Sequence, residues 1–383
     1  EIAYDYTFMG YLYDNKEQSD SALTFLNKAF AIREKKLPPD DVEVAYTLHN
    51  FAQVYENQSK LNKSLKNHLR ALEIRRAKLG DAHLSTLHSI NAIGSVYRKF
   101  GNFEKALEYY RYALENRKKA VGENHAEVSC SYYSIANLYK DIFDYHSAIQ
   151  YYLQGHRILE NLYGSDTDVL PAYYAVTAKM YGMVGDHQRA LEYVNKAEMI
   201  AEKNLAKDHP YRGVAYSYIG EYYGEINDVV RQSQYFKKAI AIFIKAWGTG
   251  TVREGDVLFK MGDMSAKNKR FAEAIVHYEK ALGIFEEKMG RKTPKTASVL
   301  LAMGDVRRDE HQFDEALKLY RKAFTSISTY KDSADLYINP LPDELESKFL
   351  ALKIAGSKGQ TLFEMALKKN DRRKLEQSLV TYD

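Results

Sequence analysis

The chain has 383 residues, 45% of them hydrophobic and 28% charged, which is enough apolar material for a packed core and excludes a disordered class. Its 55 basic and 51 acidic residues leave a formal charge of +4, too little for a strong phosphate-driven affinity for nucleic acid or an anionic membrane. One cysteine, Cys130, excludes an intrachain disulfide framework and a cysteine-based zinc site.

No run of 18 apolar residues is present, and the opening EIAYDYTFMG lacks the basic start and apolar stretch of a signal peptide. A cytoplasmic protein is expected. The chain starts at Glu1 without a methionine and stops at Asp383 inside an apparent helix, so it reads as a piece of something longer.

Sliding the sequence against itself gives an offset of 42. Small residues fall at Gly10, Ala52, Gly94, Ala136, Ala178, Gly220, Gly262 and Gly304, each 42 after the last. Tyr13, Tyr55, Tyr97, Tyr139, Tyr181 and Tyr223 stand three positions beyond the first six. Further small residues recur at Ala22, Ser64, Ala106, Ala148, Ala190, Ala274 and Ala316, with Gln232 the exception, and again from Ala29 to Ala323. Apolar and aromatic residues at three- and four-residue spacing fill each half of the unit, and short turns such as KFGNF and GMVGDH join the halves. Each unit is therefore predicted to be a helical hairpin. Its small positions let helix axes approach, and most of the 32 tyrosines fill the space between them.

The order small-x-x-Tyr, then Ala, then an aromatic or Leu four later, then Ala, resembles the tetratricopeptide repeat. In its 42-residue form, with ALEIRRAKLGDAHLSTLHSINAIGSVY and AKDHPYRGVAYSYIGEYY, it is similar to the repeats of kinesin light chain. The resemblance covers roughly residues 1 to 330. It implies an all-α fold, a right-handed superhelical solenoid of about eight helix-turn-helix units, closed by a C-terminal helical cap.

The segments LGDAHLST, VGENHAEV and LAKDHPYR lie between the predicted hairpins and invite a reading as ligand sites. Their glycines recur at Gly80, Gly122, Gly164, Gly248 and Gly290, with Ala206 in the remaining slot, where a helix C-terminus favours a left-handed residue. Three positions later stand Asp41, His83, His125, Thr167, His209, Thr251 and Thr293. A metal or catalytic site does not exchange histidine for threonine, whereas a helix N-cap does, so these loops are expected to be joints.

The 42-residue register fails after Ala323, and Pro340 and Pro342 mark a connector over residues 331–342. Helices over about 343–369 and 371–383 are expected to cap the last hairpin. The segment NPLPDELESKFLALKIAGSKGQTLFEMALKKNDRRKLEQSLVTYD also resembles the part that follows the repeats in bacterial proteins joining a tetratricopeptide array to a caspase-like CHAT protease. That resemblance implies a regulatory and partner-binding arm whose catalytic domain, with a His and Cys pair, lies downstream of this chain.

No P-loop, dinucleotide fingerprint, His-Glu-x-x-His, EF-hand or Gly-x-Ser-x-Gly pattern occurs. Cys130 reads as a small packing residue, and the clusters RRAK, RKK and DRRK read as solvated faces. No enzymatic activity, cofactor or metal is therefore expected. What remains is a surface that holds a protein or peptide partner.

The repeat resemblance places the first helix of each hairpin along a concave groove. It exposes His49, Asn50, Gln53 and Glu56, then Asn91, Ser95 and Arg98, then Tyr133, Ser134, Asn137 and Lys140. Asn and Gln offer a donor and an acceptor to an extended peptide, and Arg or Lys suits a carboxylate. Farther along stand Glu221, Asp263, Asp305 and Arg308, so the groove is expected to run from mildly basic to acidic. The regulatory arm of a CHAT protease is the alternative from another class, and a cargo or scaffold adaptor like kinesin light chain is a third.

Overall fold

The computed structural model describes residues 1–328 and 348–369. It falls into two compact units, Glu1–Gly248 and Thr249–Asp383, a division the even periodicity does not announce. In the first unit six hairpins follow one another: α1 (Ile2–Asn15) with α2 (Ser19–Lys36), α3 (Val42–Asn57) with α4 (Leu61–Leu79), and α5 (Leu84–Lys99) with α6 (Phe103–Val121). They continue with α7 (Ala126–Asp141) and α8 (Tyr145–Tyr163), α9 (Leu170–Met183) and α10 (His187–Asn204), and α11 (Pro210–Glu225) and α12 (Val229–Trp247). The second unit holds α13 (Val252–Lys267) with α14 (Phe271–Met289), α15 (Pro294–Asp309) with α16 (Phe313–Ile327), and α17 (Lys348–Lys369). Each first helix packs on its own second helix and each second helix on the next first helix within its unit.

The turn inside each hairpin is set by a backbone motif. Glu17, Ser59, Gly101, Phe143, Gly185, Asn227, Lys269 and His311 stand 42 apart and all have positive φ, from +57° to +81°. The next residue's N–H reaches back to the carbonyl of the Tyr13 row, as in Gln18 to Tyr13 (2.9 Å), Lys60 to Tyr55 (2.8 Å) and Asn102 to Tyr97 (2.9 Å). This is the 6→1 bond of a Schellman close, which satisfies carbonyls that a helix end leaves bare. Only two of the eight positions are glycine, so composition hides the motif. The geometry holds because the carbonyl pairing and helix packing offset the left-handed strain of about 1 kcal/mol.

The joints between hairpins are the loops singled out above. Gly80, Gly122, Gly164, Gly248 and Gly290 have φ between +82° and +91° and ψ between 160° and 179°. That is an extended, glycine-only region rather than the left-handed helical one expected. Each glycine N–H still closes its helix, as in Gly80 to Arg76 O (3.0 Å). The side chains of Asp41, His83, His125, His209, Thr251 and Thr293 accept from the backbone N–H two or three residues on, at 2.8 to 3.2 Å. The three histidines accept through Nδ1, which requires the ring neutral with its proton on Nε2. Thr167 departs from the row. Pro171 lies in the first turn of α9, the helix starts behind Val169 without a side-chain cap, and Thr167 Oγ1 turns to Asp168.

Where the small position is glycine, at Gly10, Gly94, Gly220, Gly262 and Gly304, it faces the residue sixteen further on, Leu26, Tyr110, Phe236, Tyr278 and Tyr320; His68, Tyr152 and Val194 hold the same row in the other hairpins. A Cβ on Gly94 would come within 2.8 Å of the Tyr110 ring, so the glycine is what admits that ring. Tyr152, Tyr278 and Tyr320 are fully buried and send their hydroxyls to Asn137 (2.8 Å), Asp263 (2.7 Å) and Asp305 (2.9 Å) on the partner helix.

In the second unit Leu350, Ala351, Ile354, Leu362 and Met365 of α17 join Leu300, Leu301, Leu317 and Phe324 in one core cluster. The helix thus lies on the apolar face of the α15 and α16 hairpin. The expected connector at 331–342 and the helix at 371–383 lie outside the described residues, as does about half of the segment on which the CHAT resemblance rests.

Candidate binding cleft on the inner helices

Three buried arginines, 42 apart, tie the early hairpins together. Arg33, Arg75 and Arg117 are 3%, 5% and 3% exposed. From the second helix of one hairpin each reaches the first helix of the next: Arg33 to Thr47 Oγ1 (2.6 Å), Arg75 to Ser89 Oγ (2.8 Å), and Arg117 to Ser131 Oγ (2.7 Å). Arg33 also donates to Thr7 Oγ1 and pairs with Glu43, both at 2.6 Å, and Arg117 pairs with Glu127 at 3.2 Å. A guanidinium buried so deeply persists because several oxygens satisfy it at once.

On these joints rests an open cleft of about 340 Å³, bounded by α3, α5 and α7. His49, Gln53 and Glu56 come from α3; His88, Asn91, Ala92 and Ser95 from α5; Glu127 and Cys130 from α7, with Arg117 of α6 below them. Four of the sequence-predicted positions, His49, Gln53, Asn91 and Ser95, therefore meet in one place together with Glu56. Ser95 Oγ donates to Glu56 Oε1 (2.8 Å), and Lys99 Nζ lies 3.0 Å from the same oxygen. Asn91 Nδ2 donates to Ser134 Oγ (3.2 Å), while its Oδ1 is buried with no partner. His49 Nδ1 is likewise buried and unpartnered. Burial first, then the neighbouring His68 ring and the Arg75 charge, hold the His49 ring well below the ordinary histidine range, so it is neutral.

The remaining predicted positions do other work. Asn50 and Asn137 donate their amides to Tyr46 O and Tyr133 O one turn back, both at 2.8 Å. Arg98 pairs with Asp141, and Lys140 lies 3.8 Å from that same carboxylate. Tyr133 corrects the expectation of an exposed groove residue. It is 3% exposed, stacks on Tyr173 with ring centroids 3.7 Å apart, and meets His156 Nδ1 at 3.0 Å through its hydroxyl. Glu221 pairs with Lys179, Arg308 with Asp305 and Asp309, and Asp263 and Asp305 accept tyrosine hydroxyls. The expected basic-to-acidic gradient is therefore largely consumed by neighbours: Asp141 neutralises the early bases, and the cleft itself carries Glu56 and Glu127.

Sequence reasoning passed over His68, His88, Arg117 and Glu127 as parts of this site. His88 Nε2 lies 2.6 Å from Glu127 Oε2, and that hydrogen bond is the first cause of the lowered Glu127 carboxyl. His68 is fully buried with both ring nitrogens unpartnered, Nε2 being 3.9 Å from Glu56 Oε2. Its signal was available: it is the one histidine in a row otherwise made of Leu, Val, Phe and Tyr. Cys130, expected to be a packing residue, is exposed at the cleft wall. Desolvation, then Glu127, pushes its thiol above the ordinary value, the opposite of what a nucleophile needs.

Next to the cleft, α1 turns Tyr4, Phe8 and Tyr11 outward, 56%, 48% and 49% exposed. One repeat earlier, they hold the positions of Tyr46, Asn50 and Gln53, so they share the inner face. Among the described residues no group of three or more His, Cys, Asp or Glu is arranged to hold a metal ion, and no helix is long and apolar enough to cross a membrane.

Stacked two-helix units with small and aromatic residues in fixed register define a class of helical repeat proteins. Family models described as tetratricopeptide repeat match residues 43–119, 101–161, 127–203 and 254–326, and a second such model matches 6–36. The chain belongs to the tetratricopeptide repeat family, whose fold is typically a non-catalytic scaffold. No curated protein matches it.

Among solved structures it is similar to a Rap protein complexed with competence and sporulation factor, at 18% identity over 75% of each chain with a TM-score of 0.61. It is similar also to the apo form of RapI, at 18% identity over 75% of this chain and 98% of that one, TM-score 0.56. Kinesin light chain TPR-like repeats of Podosopora anserina match at 20% identity over 52% of this chain and 94% of theirs, TM-score 0.43.

Proposed function

We propose that the chain is a protein-interaction scaffold that holds an extended segment of a partner across the inner faces of α3, α5 and α7. The observation that carries this is the cleft, lined by the polar residues His49 and Gln53 of one repeat, Asn91 of the next and Glu127 of the third around one open volume. An extended peptide has unpaired N–H and C=O groups along its length, and side-chain amides can serve both. Buried polar atoms without partners cost free energy in the unliganded chain, which a ligand recovers on binding. The exposed Tyr4, Phe8 and Tyr11 extend the same face with apolar contact area. A Rap protein of similar fold is seen in complex with competence and sporulation factor, which accords with the reading.

The test is a selection of phage-displayed random peptides on the full chain, followed by titration of the winners against Gln53→Ala/Asn91→Ala. Loss of two buried side-chain contacts should weaken the selected peptides by roughly tenfold to a hundredfold. Undiminished binding to the double variant would place the binding surface elsewhere.

A further inference from the structure

The cleft is asymmetric in its hydrogen-bonding capacity, and this asymmetry selects the chemistry of the partner; the inference rests on the binding role proposed above. Its donors are mostly committed. Ser95 Oγ is given to Glu56, Asn91 Nδ2 to Ser134, His88 Nε2 to Glu127, and the terminal nitrogens of Arg117 to Ser131 and Glu127. Three buried atoms of the lining stand without a partner: Asn91 Oδ1, His49 Nδ1 and Arg117 Nε. The last belongs to a guanidinium already tied down. The first is an acceptor, and so is the second in a neutral ring carrying its proton on Nε2.

Glu56 completes the set. It is 5% exposed, and its nearest cation is Lys99, whose ammonium lies 3.0 Å away on a side chain 36% exposed. The chain thus shows an ammonium already seated on this carboxylate, held from the rim by a flexible and partly solvated stem. The lysine end is solvated and free to exchange, whereas the buried carboxylate keeps its need for a cation. Behind Glu56, the fully buried His68 adds two nitrogens with no partner, Nε2 being 3.9 Å from the carboxylate. Asp14 on α1, 8% exposed, has an unpartnered Oδ1 and adds negative field beside Glu56.

We infer that the cleft seats the ammonium of a lysine side chain from an extended partner segment, on Glu56 in place of Lys99. An ammonium has three donors and no acceptor, which suits a carboxylate that already takes Ser95 Oγ and the Lys99 ammonium, with Glu127 as a second carboxylate in the same cleft. A carboxylate or phosphate from the partner would instead face Glu56 and Glu127 and be repelled.

The experiment uses the full chain and three N-acetylated, C-amidated peptide pools, randomised around a central lysine, norleucine or glutamate, read by fluorescence polarisation. The lysine pool should bind at least about tenfold more tightly than the norleucine pool, the size of one charge-assisted hydrogen-bond set. Glu56→Gln should abolish that preference. Lys99→Met, which removes the internal competitor and leaves the buried Glu56 carboxylate in need of a cation, should strengthen the lysine pool by about threefold. Thermal unfolding of each variant reports whether it is folded, and Lys99→Met keeps the test decisive if Glu56→Gln is not. Equal binding of the lysine and norleucine pools, or preference for glutamate, would overturn the lysine assignment while leaving peptide binding intact. Failure of every pool to bind would remove the binding reading and this inference together.

Discussion

Consecutive hairpins must be joined face to face, and the molecule does this with two chemistries. At the first three joints the row holds Arg33, Arg75 and Arg117, each anchored on a Thr or Ser of the next helix. In later repeats the same row reads Leu159, Ala201, Phe243, Phe285 and Ile327, all apolar. A dry joint gains its stability from area and shape and tolerates conservative exchange. An arginine joint gains direction, because the guanidinium must find its oxygens, and it keeps polar side chains ordered nearby. The candidate cleft lies on the arginine joints, where Arg117 orients Glu127 and so His88. Polar joints and a polar inner face thus occur together, while the aspartates of the later inner face are occupied by Tyr278 and Tyr320.

The sharpest way to break this comparison is to remove one guanidinium. Arg117→Ala leaves Ser131 without its donor and Glu127 with His88 alone, and should cost about 2–4 kcal/mol through the lost buried hydrogen bonds and packing. Arg75→Met with Ser89→Ala, which makes an early joint as dry as a late one, should fall within about 1 kcal/mol of the parent. Denaturant unfolding of both measures this; equal costs would mean that the two chemistries are interchangeable.

Acid sharpens the comparison next. Burial pushes the His68 and His156 rings down to about 3, so both fold neutral, whereas in the unfolded chain they protonate near 6.5. Their contribution is full above pH 6.5 and is lost as pH falls from there toward 3, by about 1.4 kcal/mol per pH unit for each ring. At pH 5, His68→Leu should recover about 2 kcal/mol and remove one proton from the stability slope. An unchanged slope would show that His68 is already protonated in the fold, paired with Glu56.

A smaller effect concerns Gly94, whose added Cβ would meet the buried Tyr110 ring. Gly94→Ala should destabilise by about 1–2 kcal/mol despite the better helix propensity of alanine. The helix caps give the smallest contrast. His125→Ala should cost about 1 kcal/mol and Thr167→Ala less than about 0.5, since only the first side chain caps a helix.

Much of this was legible in the sequence because the repeat writes the same contact eight times. The small positions, the Tyr row, the capping loops and the inner-face positions of α3 and α5 are all periodic, so a single alignment of the chain with itself exposes them. What escaped is the pairing between rows. Nothing in the spacing says that Asn137, Asp263 and Asp305 are occupied by tyrosine hydroxyls, or that Arg98 spends its charge on Asp141, because those partners stand 15 and 43 residues away. The left-handed turn row escaped for another reason: Glu17, Ser59, Phe143 and Lys269 are not residue types that announce positive φ. Tyr133 looked exposed because its neighbours in the same row, His49 and Asn91, line the cleft; Tyr173 on α9 is what buries it.

Amide hydrogen exchange on the full chain, with and without its tightest selected peptide, shows whether the inner helices of the early repeats hold the partner. Exchange should slow in the peptides spanning α3, α5 and α7, with α4, α6 and α8 less affected. Protection confined to α4, α6 and α8 would contradict this and move the binding face to the outside of the array.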